Sequence, residues 1–342
     1  MDPHFYLGGL SEEITMQPSE RAASLARASA LEMSMKGMLP HIRELRPFGS
    51  VVRGTALSRK VSPTVDLDCL ICTDLAAAQQ RFSGRKHDEA EELMIEELCE
   101  ALESIVSPAI VTLQHQWIVV ELDGVRFEFS VGRRSDSWTE NIYLMYVRDS
   151  KWLQAHPKLQ NRYGGNSIRA VRNDGSEDEE ALVAAEPFAL DYSGLNEWEQ
   201  TLVTGLIVIL KYWNRLYQEK IPSFVLESNV EKWVYSEKPK GRPRSIFELV
   251  CAFFQSSANY DRRIFGRLAS FQTLRKAFRA AHELTVGERE EDAVKYLAAV
   301  LPWPDRLQHF EPFMKKGLST VQSSVAELDR QRGLTAQRRQ SV

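Results

Sequence analysis

The chain has 342 residues, 43% of them hydrophobic and 26% charged, enough to bury a sizeable core and to divide into two domains. Lys plus Arg is 43 and Asp plus Glu is 47, a formal charge of -4, whereas a protein living on non-specific contacts to nucleic-acid phosphates is usually basic. No apolar run approaches the roughly 20 residues of a membrane span, and the opening MDPHFYLGGLSEE is acidic without the pattern of a secretory signal, so a soluble, cytoplasmic protein with no membrane partner is expected.

In chain order, apolar residues recur at helical spacing from Pro18 to about Leu45 (Ala22, Leu25, Ala28, Leu31), with Ser19 and Glu20 at the start, which predicts one long N-terminal helix. The segment PFGSVVRGTALSRKVSPTVDLDCLICTD follows, Pro47 to Asp74, and its VDLDCLIC alternates and is rich in branched residues, a strand pattern. Cys69 and Cys72 lie in that run with no second Cys or His pair at zinc-binding spacing, so they are read as core-filling thiols. Four scattered cysteines suggest no disulfide framework and fit a reducing compartment.

Lys86 to Ile105 has an acidic first turn and the stripe Leu93, Ile95, Leu98, Leu102, an amphipathic helix. AIVTLQ and WIVVELDGVRFEFSVG predict further strands, with Asp123-Gly124 at the turn of a hairpin. Between Asn161 and Glu186 the composition shifts to Gly, Asn and a block of acids, read as a surface loop or domain joint. Beyond it the segments NEWEQTLVTGLIVILKYWNRLYQ, SIFELVCAFFQSS, FQTLRKAFRAAHEL, EEDAVKYLAAV and KKGLSTVQSSVAELDRQ are helical, and the closing LTAQRRQSV reads as a frayed tail. Trp198, Tyr212, Trp213 and Tyr217 are assigned to helix packing. The basic stretches KPKGRPR, DRRIFGR and LRKAFR are solvated faces or the lining of a groove for nucleic acid or product.

The chemistry concentrates on carboxylates. On a strand Asp66 and Asp68 point to one face, about 7 Å apart, where they repel unless a cation neutralises them. In VRFEFSVG the residues Val125, Phe127, Phe129 and Val131 form an apolar face, which leaves Glu128 on the other face as a third acid. Glu121, also an acid among apolar residues, precedes the hairpin turn and is the rival choice. Oxygen-only ligands suit Mg²⁺, held by carboxylates and substrate phosphates, and three carboxylates from two strands suit two such ions. Gly49 and Gly54 let backbone approach closely, and Ser50 and Thr55 carry hydroxyls that can donate to phosphate oxygens. Taken singly, a Gly-Ser is a turn and an Asp-x-Asp a wet strand face.

Together they resemble the nucleotidyltransferase superfamily related to DNA polymerase β: an apolar residue with Gly-Ser, a spacer, Asp-apolar-Asp, and a later acid between apolar residues. The spacer from Val51 to Val65 is longer than the usual pattern, and Glu128 stands where Asp is commoner. ILKYWNRLYQEKIPSFVLES is similar to the segment of oligoadenylate synthases and cyclic GMP-AMP synthase-like enzymes (the CD-NTase branch) in which a helix with Lys and Trp precedes a Ser-aromatic-x-Leu helix start. The resemblance runs from about Phe48 to Trp233. It implies an α+β fold of two lobes, a catalytic lobe with a mixed, mostly antiparallel sheet (1–185, with the long N-terminal helix running along both lobes) and a helical lobe (186–335) closing the NTP cleft, then a tail (336–342). It implies that Asp66, Asp68 and Glu128 hold two Mg²⁺ or Mn²⁺ ions, that Gly49, Ser50, Lys211 and Ser223 grip the triphosphate, and that Phe224 stacks on the base. The implied activity joins ATP, GTP or both into a short cyclic or linear oligonucleotide second messenger with release of pyrophosphate, in antiviral or antiphage defence, with double-stranded RNA or another nucleic acid as a possible activator. A terminal RNA nucleotidyltransferase and a catalytically inactive nucleic-acid sensor are the alternative readings.

Overall fold

The computed structural model describes residues 1–74, 87–106, 110–114, 117–134, 143–147, 151–155, 168–171, 195–237, 243–256, 265, 268–305, 322–323 and 325–330. They fall into two compact units, one of residues 16–194 and one of residues 1–15 with 195–342.

Among the described residues the first unit is built on a mixed sheet of eight strands: β1 (Ile42–Pro47), β2 (Val65–Thr73), β3 (Ile110–Gln114), β4 (Trp117–Leu122), β5 (Val125–Arg134), β6 (Tyr143–Val147), β7 (Lys151–Ala155) and β8 (Ile168–Val171). The order is β1-β2-β5-β6-β7-β8, with β4 on the first half of β5 and β3 beyond it. β2 and β5 run parallel and the other pairings are antiparallel. Asp123 and Gly124 both take positive φ at the β4–β5 turn, the twist that a two-residue hairpin needs. Val65, Leu67, Cys69 and Ile71 of β2 and Val125, Phe127, Phe129 and Val131 of β5 turn one face into the core. Helices α1 (Pro3–Ile14), α2 (Pro18–Met38), the single turn α3 (Gly49–Arg53) and α4 (His87–Ile105) precede or interrupt the strands. α2 buries Ser24, Ala28, Leu31 and Met35, and with α4 it contributes to the same core. Cys69, Cys72, Cys99 and Cys251 are all thiols, three of them buried.

Three sequence expectations change. The helix expected over 18–45 stops at Met38, because Pro40 cannot continue it and Ile42–Pro47 pairs antiparallel with β2 instead. The stretch 161–186, read as loop, contains β8, a four-residue strand on β7 whose pattern is too short to stand out among Gly and acids; the rest of it lies outside the described residues. Residues 1–15, assigned by sequence to the catalytic lobe, belong with the C-terminal helices, and the division falls after 194. Tyr6, Leu7, Leu10 and Ile14 form a buried stripe on α1, and Tyr6 Oη donates to Leu301 O at 2.8 Å. α1, over residues that the sequence reading assigned to no helix, lies in the second unit, and α2, the shortened form of the expected helix, lies in the first.

The second unit holds α1 and α5 (Glu197–Leu216), α6 (Ser223–Glu237), α7 (Ile246–Gln255), α8 (Ala269–Val286) and α9 (Glu290–Val300). α5 starts on a capping box: Glu199 N–H donates to Asn196 Oδ1 at 2.9 Å and Asn196 N–H to the Glu199 carboxylate at 3.0 Å. Tyr212 and Trp213 are fully buried, as expected of packing residues, whereas Trp198 is exposed. Of the basic stretches, LRKAFR lies on α8, while KPKGRPR and DRRIFGR fall outside the described residues except at Pro243, Arg244 and Phe265. The 334–342 tail lies outside them as well. Among the described residues no helix is long and apolar enough to cross a membrane.

Candidate active site

The site is set by register. In the parallel pairing of β2 with β5, Asp66 stands opposite Arg126 and Asp68 opposite Glu128. Neighbouring strands lie about 4.8 Å apart, so the three acids occupy one patch of the face turned away from the core. Glu121, on β4, pairs with Arg126 of β5 and is a strand farther from β2; adjacency to Asp68 belongs to Glu128. Farther along the same face Leu70, Cys72 and Ser130 are buried, which confines the open part to the start of the two strands.

The Gly49-Ser50 turn comes down directly on this patch. β1 ends at Pro47, Phe48 N–H donates to Asp68 O at 2.9 Å, and Gly49 takes φ 74°. A Cβ at Gly49 would lie 2.9 Å from Asp68 Cγ and closer still to Oδ2. Both the left-handed backbone and the approach to the carboxylate therefore require glycine. Ser50 is half-buried beside it, and its carbonyl accepts the Thr55 N–H at 2.9 Å. Thr55 itself is fully buried and braces this turn from inside; its hydroxyl is not presented to a phosphate.

Electrostatics load the patch. Burial raises the Glu128 carboxyl above the usual carboxylate range; Arg126, whose Nη2 lies 3.1 Å from Glu128 Oε1, opposes the rise, and the charge of Asp66 adds to it. Burial and the Asp68 charge likewise raise the Cys69 thiol, consistent with an inert core residue. Sequence reasoning did not single out Arg126, although its place two residues before Glu128 puts it on the same strand face.

The residue types fit a hard divalent cation: the donors are oxygens, and a positive ion would relieve a carboxylate that burial and Asp66 hold back from ionising. As the side chains stand, no three His, Cys, Asp or Glu groups converge closely enough to hold an ion among the described residues. Glu128 is instead turned to Arg126.

The residues assigned in the helical unit are placed as follows. Lys211 is on α5, 5% exposed, with Nζ ion-paired to Glu227 of α6, whose side chain is fully buried. Ser223 is exposed at the first position of α6, and Phe224 follows it, its side chain lying outside the described residues. Asn214 fixes the connection between the helices, donating to Ile221 O at 2.8 Å and accepting from Ile221 N–H at 3.1 Å. The acid at Glu227, four residues after Ser223 in an apolar run, was the unread signal of a buried partner for Lys211.

The same architecture recurs in solved structures. CdnG of Bradyrhizobium diazoefficiens, a CD-NTase in complex with GTP, superposes with a TM-score of 0.55 over 95% of this chain and 98% of that one, at 15% identity. The fold is that of the CD-NTases. E. coli CdnC gives TM-scores of 0.52 in its complex with HORMA-deltaN and 0.51 with ATP, each over 89% of this chain and 98% of that one, at 15% and 14% identity. At these identities the likeness is one of fold. No protein-family model matches the sequence, and no curated protein matches it. Within the CD-NTase fold the strands β2 and β5 and the Gly49 turn form the part of this chain where the acids gather.

Proposed function

We propose that the protein is a metal-dependent nucleotidyltransferase joining NTPs into a short cyclic or linear oligonucleotide with release of pyrophosphate, in defence signalling. The observation that carries the reading is the pairing of Asp68 with Glu128 beneath the Gly49-Ser50 turn. The CD-NTase fold supports it, as do GTP and ATP in the two structural neighbours.

Asp66 and Asp68 would hold Mg²⁺ or Mn²⁺ and Glu128 would complete the set; two such ions when bound neutralise phosphate charge and lower the pKa of an attacking hydroxyl. A ribose hydroxyl oxygen forms a bond to the α-phosphorus, the bond from that phosphorus to the bridging oxygen of the β-phosphate breaks, and pyrophosphate leaves with the bond electrons. The hydroxyl proton passes to a Glu128 carboxylate oxygen acting as the base. Gly49 and Ser50 present backbone and hydroxyl to the phosphates. The resemblance adds Lys211 and Ser223 as triphosphate contacts and Phe224 as the base-stacking ring. Thr55, being buried, acts through the shape of the turn.

The test is incubation of the protein with four labelled NTPs and Mg²⁺ or Mn²⁺, with and without double-stranded RNA, followed by phosphatase and mass analysis, beside Asp66→Ala/Asp68→Ala. A phosphatase-resistant product absent from the variant supports a cyclic-nucleotide synthase, and a phosphatase-trimmed ladder supports linear oligomers. Long extension of an added RNA 3′ end favours the terminal transferase. Absence of any product under all conditions overturns the enzymatic reading in favour of a sensor.

A further inference from the structure

We propose that a cavity between α7 and α8 of the helical unit binds a small nucleotide carrying several phosphates, at a site separate from the carboxylate patch and independent of metal. The cavity has a volume of about 590 Å³, within the range of about 300–1,000 Å³ of small-molecule sites. Its basic side comes from one stretch of α8: Arg275 and Arg279 lie one turn apart, and Lys276 is adjacent to Arg275. Among the described residues that line it, three cations accompany one carboxylate, Glu283, in a chain whose overall charge is negative. Glu283 meets Arg279 at 3.3 Å in an exposed i,i+4 pair, which is weak and leaves the guanidinium able to turn to a ligand. Arginines match phosphate oxygens in bidentate fashion, and lysine adds a point charge.

The remaining wall selects what accompanies the phosphates. Gln255 and Gln272 offer amides that both donate and accept, suited to the edge of a base or a ribose. Phe254 and Phe278 form a rigid floor, buried, with ring centroids 5.2 Å apart. Cys251 below them has its thiol pushed up to about 12 by burial, so the floor is not a reactive one. A concave cavity of this size favours a mononucleotide over a duplex, which would need an extended basic track.

Metal-free binding isolates this site, because without a cation the three carboxylates of the sheet repel phosphate. Titration calorimetry of the full chain in EDTA with ATP, GTP and a ten-nucleotide single-stranded RNA is the experiment. The expected result is one ATP or GTP bound per chain, weakened at least tenfold in Arg275→Ala/Arg279→Ala and also weakened in Lys276→Glu, whose exposed position spares the fold. Asp66→Asn/Asp68→Asn should bind in EDTA like the parent, so failure of the catalytic reading would leave this result standing. No binding in EDTA, binding indifferent to these substitutions, or RNA preferred over mononucleotides through the same residues would each overturn the proposal.

Discussion

Asp68 and Glu128 are direct partners across the parallel pairing of β2 with β5, and Gly49 closes over the first of them so tightly that no other side chain fits. Parallel register places two carboxylates that are sixty residues apart in sequence on one patch, with Asp66 beside them. The patch dictates how the protein should respond to substitution.

Asp68→Asn removes a charge while keeping shape, and tests the ligand role proposed for Asp68. It should lower metal-dependent pyrophosphate release by at least about 100-fold, the order expected when a group answering transition-state charge is lost. The circular-dichroism melting temperature should hold or rise, since like-charge repulsion is relieved. Turnover within a few-fold of the parent would remove Asp68 from the site.

Gly49 and Gly54 share a φ of 74°, but only Gly49 has a neighbour in the way. Ala at Gly54 should cost only the backbone penalty, about 1–2 kcal/mol, with activity kept. Ala at Gly49 should cost more in urea unfolding and abolish turnover by displacing Asp68. Equal effects of the two substitutions would contradict the steric account.

The buried pair of Lys211 with Glu227 predicts a strongly non-additive cycle. Lys211→Met alone leaves a carboxylate buried without its cation and should cost about 3–5 kcal/mol; Lys211→Met/Glu227→Leu should recover much of that. The folded double variant then separates roles: a raised KM for NTP marks a phosphate contact, whereas an unchanged KM marks Lys211 as structural.

On α9, Asp292 is held below the usual carboxylate range by hydrogen bonds first from Lys295, at 2.8 Å, and then from Arg289, at 2.6 and 3.0 Å. A depressed folded pKa contributes stability above the ordinary Asp value and loses it as pH falls through the depressed one. Asp292→Asn should therefore destabilise at pH 7, by no more than about 0.5 kcal/mol for so exposed a group. The gap from the parent should close in acid; a gap that widened as pH fell would reverse the sign.

Elements whose chemistry is local are legible in the linear chain. Alternation fixed β2 and the β4–β5 hairpin, periodicity fixed α4, α5 and α8, and the spacing of Asp66, Asp68 and Glu128 within their own strands assigned each to the polar face. Side-chain direction along one strand or helix follows from its period, so a linear reading suffices there. Tertiary structure alone decided everything that depends on pairing between distant segments. That Asp68 meets Glu128 rather than Glu121, that Arg126 turns to Glu128, and that Thr55 is sealed inside are matters of register and packing. The short strands β6, β7 and β8 carry too few residues for a periodic signal, and they exist because each has a neighbour to pair with. Lys211 shows the same division: its place on α5 was legible, but its burial against Glu227 arises only when a second helix closes over it and a desolvated ammonium takes the nearest carboxylate.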